Sequence, residues 1–240
     1  MKVLLITLLL VISAESFAQK NTEVNDANVV KRTLNASFDA ISITDGVSLY
    51  LTQGNEESLA VSFSDSKYET RFKTIVDNGT LRIYFDNDGL NWNDNRRRKL
   101  KAYVSFKTLS NLSASGGAEV VFNETLILKQ VSFKFTSGSL LTGKIKADKM
   151  EIAQNSGSQM NLAGNVSDLS IEAGSGAVFS GYGLNADHCS AKASSGASVR
   201  ISVKQELDAK ANSGGAIHYK GEGSIKDINV NSGGVVKRAK

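Results

Sequence analysis

From about residue 111 onward, apolar and polar residues alternate with a period of two, and a serine–glycine pair interrupts the alternation at regular intervals. The glycines of these pairs are Gly138, Gly157, Gly176, Gly196, Gly214 and Gly233, spaced 19, 19, 20, 18 and 19 residues apart, and Gly117 extends the series upstream with a spacing of 21. With each glycine as position zero, position +3 holds Val120, Leu141, Met160, Phe179, Val199, Ile217 and Val236, all apolar. Position −5 holds Leu112, Phe133, Ile152, Ile171, Ala191, Ala209 and Ile228, and position −3 is apolar in every repeat except at Gln154. Inward odd offsets and polar even ones predict strands, since a helix would repeat every 3.6 residues.

Each unit therefore reads as strand, tight corner, strand, and a fixed period of this length predicts a solenoid. Glycine suits the corner because it reaches positive φ without a Cβ penalty. Serine and asparagine beside it can bond local backbone. Stacking would bring equivalent corners within ~4.8 Å of one another, and the expectation is that large side chains there would collide. No single coil can offset the ordering of its own chain, so stability must be collective. The complete absence of proline fits, because a proline in an inner coil would delete a ladder hydrogen bond.

Residues 36–110 carry the pattern in altered form. Around Gly46, Ile41 and Ile43 precede the corner and Leu49 and Leu51 follow it, which predicts an earlier coil with Asp45-Gly46 in place of Ser-Gly. Alternating runs follow at 59–63, 72–85 and 100–109, with Asn78-Gly79 as a hairpin turn. Residues 86–99 form a polar loop and residues 19–35 a flexible leader. The expected organisation is thus a signal peptide (1–18), a leader (19–35), an irregular N-terminal β region (36–110) and a Ser-Gly repeat solenoid (111–240), with 36–240 one continuous domain.

Composition changes this picture in three places. Of 21 glycines, only Gly46, Gly54, Gly79 and Gly89 precede residue 111, which marks the boundary. The N-terminus has a positive Lys2, an apolar run from Val3 to Ile12 and a small-x-small Ser16-Phe17-Ala18, the pattern of a secretory signal peptide. That run is about half the ~20 residues a membrane-spanning helix needs, and no later run is longer. Export to the periplasm, outer surface or medium is the expected localisation. Cys189 is the only cysteine, so no intramolecular disulfide can form. The formal net charge of +4 implies no nucleic-acid partner by itself.

The stretches "FDAISITDGVSLYLTQG" (38–54), "VDNGTLRIYF" (76–85) and "LSNLSASGGAEV" (109–120), followed by serial Ser-Gly turns, resemble the "putative auto-transporter adhesin, head GIN domain" family, common in Bacteroidetes. The likeness covers about residues 36–235 and rests on a distributed pattern. It implies a single-stranded right-handed parallel β-helix and brings no catalytic residues with it. The segment "YVSFKTLSNL" (103–112) departs from the family by lacking a proline.

Candidate chemistry is sparse. Asp148, Asp168, Asp187 and Glu206 lie eight or nine residues before their glycines and could line one edge as a carboxylate ladder, for acid–base work or Ca²⁺. Each is soon followed by an inward apolar residue, which favours solvated turn positions. His188 and His218 occupy different columns, and Cys189 shares the column of Val131, Met150, Leu169 and Leu207, which predicts a buried thiol with no paired base. "DNDG" at 86–89 lacks EF-hand spacing. Gly181, Gly183 and Ala186 match a dinucleotide fingerprint without the helix it requires. The most specific surface feature is Arg96, Arg97, Arg98 and Lys99 with Lys101, beside Trp92, a cluster that could dock an anionic glycan, lipopolysaccharide or lipid headgroup.

No catalytic, cofactor or metal site is expected, and the structural corners are Gly46, Gly117, Gly138, Gly157, Gly176, Gly196, Gly214 and Gly233. The expected function is a non-catalytic, exported adhesin-like module for cell-envelope or surface attachment, with a glycan, envelope polymer or host-surface ligand as partner. The alternatives are a polysaccharide-active enzyme and a structural envelope component assembling through its coil ends.

Overall fold

In a computed structural model describing residues 29–89 and 98–239, sixteen strands make one sheet that winds as a parallel solenoid of about seven turns, about 19 residues apart. The strands are β1 (Val29–Arg32), β2 (Ala40–Ile43), β3 (Ser48–Gln53), β4 (Ser58–Phe63), β5 (Phe72–Asp77), β6 (Thr80–Phe85), β7 (Leu100–Phe106) and β8 (Asn111–Ala114). They continue as β9 (Glu119–Phe135), β10 (Leu140–Gln154), β11 (Gln159–Ala173), β12 (Val178–Ala193), β13 (Ser198–Ala211), β14 (Ala216–Lys220), β15 (Ser224–Val230) and β16 (Val235–Arg238).

The sequence columns are the register. Before the corner, Ile41 pairs with Leu112, Leu112 with Phe133, and the row continues through Ile152, Ile171, Ala191, Ala209 and Ile228. After the corner, Leu49, Val120, Leu141, Met160, Phe179, Val199, Ile217 and Val236 form an unbroken row. Two walls therefore run the length of the molecule and meet at the stacked corners. Their inward side chains interleave as one core, in which Phe133, Phe135 and Phe179 are fully buried. Gln154, the polar exception, also points inward and is fully buried; its Nε2 donates to the Val178 carbonyl at 3.4 Å while its Oε1 has no partner.

The corners are two-residue turns with both central φ angles positive: Ser137, Ser156, Ser175, Ser195, Ser213 and Ser232 at 47–53° and the glycines after them at 71–75°. A bond from the fourth residue to the first closes each turn, as from the Ser139 amide to the Thr136 carbonyl at 3.2 Å. This is the type I′ pattern, used here to re-aim a strand instead of folding a hairpin. It also turns each glycine N–H along the solenoid axis, where it donates to the corner carbonyl of the next coil. The series runs from Gly46 onto Gly116 through to Gly214 onto Ser232, at 3.0–3.3 Å. The expected crowding is found at the closing residue of the corner, where a Cβ on Gly215 or Gly234 would lie 2.3 Å from the Ala193 or Ala211 carbonyl oxygen, but not at the glycine before it. A Cβ on Gly46, Gly117, Gly138, Gly157, Gly176, Gly196 or Gly233 would meet nothing within 4 Å, so the sign of φ selects glycine there, not space. Crowding occurs also at the mid-coil bends, as at Gly164, whose Cβ would lie 1.9 Å from the Ile145 carbonyl oxygen.

The N-terminal region is the solenoid's cap. β6 and β7 continue the two walls in parallel, against β2 and β3. Antiparallel strands then close both walls: β5 on β6, and β4 on β7 with β1 outside it. The hairpin turn at Asn78-Gly79 is present, with φ of 48° and 72°. The leader expected over 19–35 is corrected at its end, because Val29–Arg32 form β1; the signal-peptide segment and residues 19–28 lie outside the described residues. At the other end, among the described residues, β15 pairs only with β13 and β16 only with β14. Ile228 and Val230 are 39% and 45% exposed, whereas Ala209 and Ala211, their partners one coil earlier, are at most 1% exposed.

Candidate functional site

The alternation that buries odd offsets projects even ones, and stacking turns each even offset into an outer column with neighbours ~4.8 Å apart. On the post-corner face, position +4 makes one such column through successive strands: Tyr103, Tyr50, Val121, Thr142, Asn161, Ser180, Arg200, His218 and Lys237. Its two ends differ in chemistry. Tyr50 and Tyr103 are half-buried and stacked, ring centroids 5.1 Å apart and 15° from parallel. At the far end three basic residue types occupy adjacent coils. Beside them, Ser198, Ala216 and Val235 are too short to screen the basic heads. Lys220 also projects there, its Nζ 4.8 Å from the Tyr182 ring centroid. Among the described residues, none of Thr142, Asn161, Ser180, Arg200, His218 and Lys237 spends its side chain in a hydrogen bond or ion pair, and His218 Nδ1 is shielded without a partner.

The pre-corner face is the electrostatic opposite. Lys149 pairs with Glu151 at 3.0 Å, Lys192 with Glu172 at 2.7 Å, Lys210 with Asp208 at 3.7 Å and Lys226 with Glu206 at 3.1 Å. His188 Nδ1 lies 3.3 Å from Asp168. The hydrogen bond that the Lys192 ammonium donates to Glu172 holds its pKa above the ordinary value. A shallow groove of about 350 Å³ runs along this face, bordered by Asn155, Glu172, Lys192, Lys210 and Asn212.

The sequence-predicted residues are dispersed by this geometry. Trp92, Arg96 and Arg97 lie outside the described residues. The Arg98 guanidinium lies 4.1 Å from the Phe85 ring centroid and donates to Asn87 Oδ1 at 2.7 Å, while Asn87 Nδ2 donates to Asp45 at 3.2 Å. Arg98 thus ties the 86–99 segment to the first corner. Lys99 is exposed. Lys101 projects from β7 on the post-corner face, in register with Ser48 and Ser62, two residues from Tyr103.

The carboxylate ladder is interrupted. Asp168 and Glu206 share a column, but Lys149 precedes them and His188 stands between them. Asp148 and Asp187 sit one residue earlier, Asp187 lying 3.9 Å from Lys204. Cys189 is buried, and desolvation pushes its thiol up to about 12, with the charge of Asp208 adding to the effect. The carbonyls of Asp86 and Asp88 accept hydrogen bonds from Arg71. No group of three metal-ligating side chains occurs among the described residues, nor a helix long and apolar enough to cross a membrane. Sequence reasoning missed the +4 column because only odd offsets were aligned; Tyr50, Arg200, His218 and Lys237 were all detectable at the same even offset.

Fold and surface define a single-chain parallel β-solenoid whose distinguishing features are its long outer faces. Within that class, the chain belongs to the family described as "putative auto-transporter adhesin, head GIN domain", which matches residues 37–223. The fold recurs in solved structures at low sequence identity. A putative adhesin from Bacteroides fragilis is 17% identical, with a TM-score of 0.79, covering 89% of this chain and 98% of that one. A putative adhesin from Parabacteroides merdae is 16% identical (TM-score 0.70; 90% and 98% covered). A putative lipid binding protein from Parabacteroides distasonis is 18% identical (TM-score 0.61; 90% and 98% covered). None of the curated proteins compared with the chain matches it.

Proposed function

We propose that the protein is a non-catalytic, exported attachment module that presents the post-corner face of a stiff solenoid to a cell-envelope or surface polymer. The observation that carries this reading is the unspent stretch of the +4 column from Thr142 to Lys237, on a scaffold whose opposite face pairs most of its charges. Membership of an adhesin-head family supports it. Rigidity suits the role, because a backbone fixed by a hydrogen-bonded ladder loses little freedom on binding.

The test is capture of the pure protein on immobilised envelope extract, glycans and host matrix at micromolar concentration, with the signal expected from at least one. Failure on all three would remove the reading. Turnover of an anionic polysaccharide, abolished by Asp168→Ala and Asp187→Ala, would replace it with the enzymatic alternative.

A further inference from the structure

Stacked columns of like charge are unfavourable, because equivalent side chains on neighbouring strands are held side by side and cannot separate. The pre-corner face mixes its charges, with Lys149, Asp168, His188 and Glu206 down one column, and where like charges do stack there, Lys192 on Lys210 and Asp208 on Asp227, an opposite charge pairs with Lys192, Lys210 and Asp208. The post-corner face differs over its last three coils, where the basic side chains Arg200, His218 and Lys237 follow one another with no carboxylate in their column. Lys220 projects beside His218 from the same strand, one outward position along. Departures from local rules without structural compensation mark functional positions.

We infer that this column is the binding site of a linear anionic polysaccharide, carboxylated or sulfated, lying along the solenoid axis. Arg200 and Lys237 receive its acidic groups. Ser180, Asn161 and Thr142 offer hydroxyl and amide partners to sugar hydroxyls in the coils that follow, and the Tyr50–Tyr103 stack supplies an apolar platform for a sugar ring. The rung spacing of ~4.8 Å is comparable to the residue repeat of an extended sugar chain, so contacts can recur coil by coil. The ligand class follows from this linear order of basic, hydroxylic and aromatic positions. A lipid surface would need cations grouped around exposed apolar side chains, and the +4 column has no large aliphatic residue. The inference rests on the attachment reading and names its ligand.

Calorimetric titration of alginate and chondroitin sulfate oligosaccharides into the full chain tests it. At least one should bind, with affinity falling as salt rises. Arg200→Glu and Lys237→Glu should each weaken binding about tenfold or more, the loss of a charged hydrogen bond. Lys134→Glu, the same charge change on the pre-corner face, should leave it within about twofold. Tyr50→Ala should weaken a chain long enough to span the column and leave a disaccharide unaffected; any other pattern overturns the axial placement. Equal losses from Lys134→Glu would reduce the effect to net charge and overturn the site. No binding of either oligosaccharide, or capture only by phosphatidylglycerol vesicles, would overturn the ligand class. Envelope-extract binding that survives Arg200→Glu would sink this inference while leaving attachment standing, whereas loss of all envelope binding in the wild-type chain would sink both.

Discussion

The two walls share one core, one corner and one repeat, yet their outer faces treat charge in opposite ways. Before the corner, lysines and carboxylates face each other within and between coils at 2.7–3.7 Å. After it, a basic column stands without acidic partners. Because the same backbone underlies both faces, the difference cannot come from folding requirements. A solenoid multiplies whatever occupies an outward offset, so each column is either self-neutralising or a concentrated field of one sign. The comparison separates the residues that make the rod from those that give it something to hold.

The largest effects should come from what the walls share. Phe133→Ala before the corner and Phe179→Ala after it should each cost about 3–5 kcal/mol in urea unfolding. Both should shift a single transition, since both rings are fully buried in one cluster; separate transitions would mean that the walls are independent. Next, Gly164→Ala should destabilise by roughly 3 kcal/mol, because its Cβ would strike the Ile145 carbonyl at a φ of +122°. Gly176→Ala, strained in φ alone, should cost only about 1–2 kcal/mol. Gln154→Met should be neutral or stabilising by about 1 kcal/mol, since it removes a buried amide oxygen with no partner. The faces themselves should differ. Arg200→Gln removes a cation that has no acidic partner and should leave stability within about 0.3 kcal/mol, while Lys192→Gln loses the Glu172 pair and should lower it by at most about 0.5 kcal/mol. The smallest effect is chemical: Cys189, buried with its thiol pushed up to about 12, should be inert to thiol reagents at pH 8 until urea unfolds the chain.

Much of this was legible in the chain. The −5, −3 and +3 columns became the register itself, because a strand's two-residue period carries directly into which face is buried. The corner glycines were placed correctly, and of the two reasons offered for them positive φ holds, whereas crowding applies to the residue after them. Spacing cannot tell a crowded turn from a left-handed one, and only the φ values of Ser175 and Gly176, 48° and 72°, decide it. The cap was harder. Alternation in Leu59–Phe63 and Phe72–Asp77 announces strands but carries no direction, so their antiparallel closure of the walls was not readable. The exposed ends of Ile228 and Val230 were equally hidden, because inward alternation does not reveal that the last coil lacks a neighbour among the described residues. The candidate site was half legible. A cationic run attracts attention when contiguous, as at Arg96–Lys99, and escapes it when its members are 18 and 19 residues apart, as at Arg200, His218 and Lys237.

The most direct test of the two-face account is an NMR titration of the labelled chain with an alginate oligosaccharide, read at backbone amides on both walls. The account predicts shifts along β13, β14 and β16 at Arg200, His218 and Lys237, extending toward Tyr50, with the amides of Glu172, Lys192 and Lys210 unmoved. Shifts centred on the groove beside Lys192, or spread evenly over both walls, would contradict it.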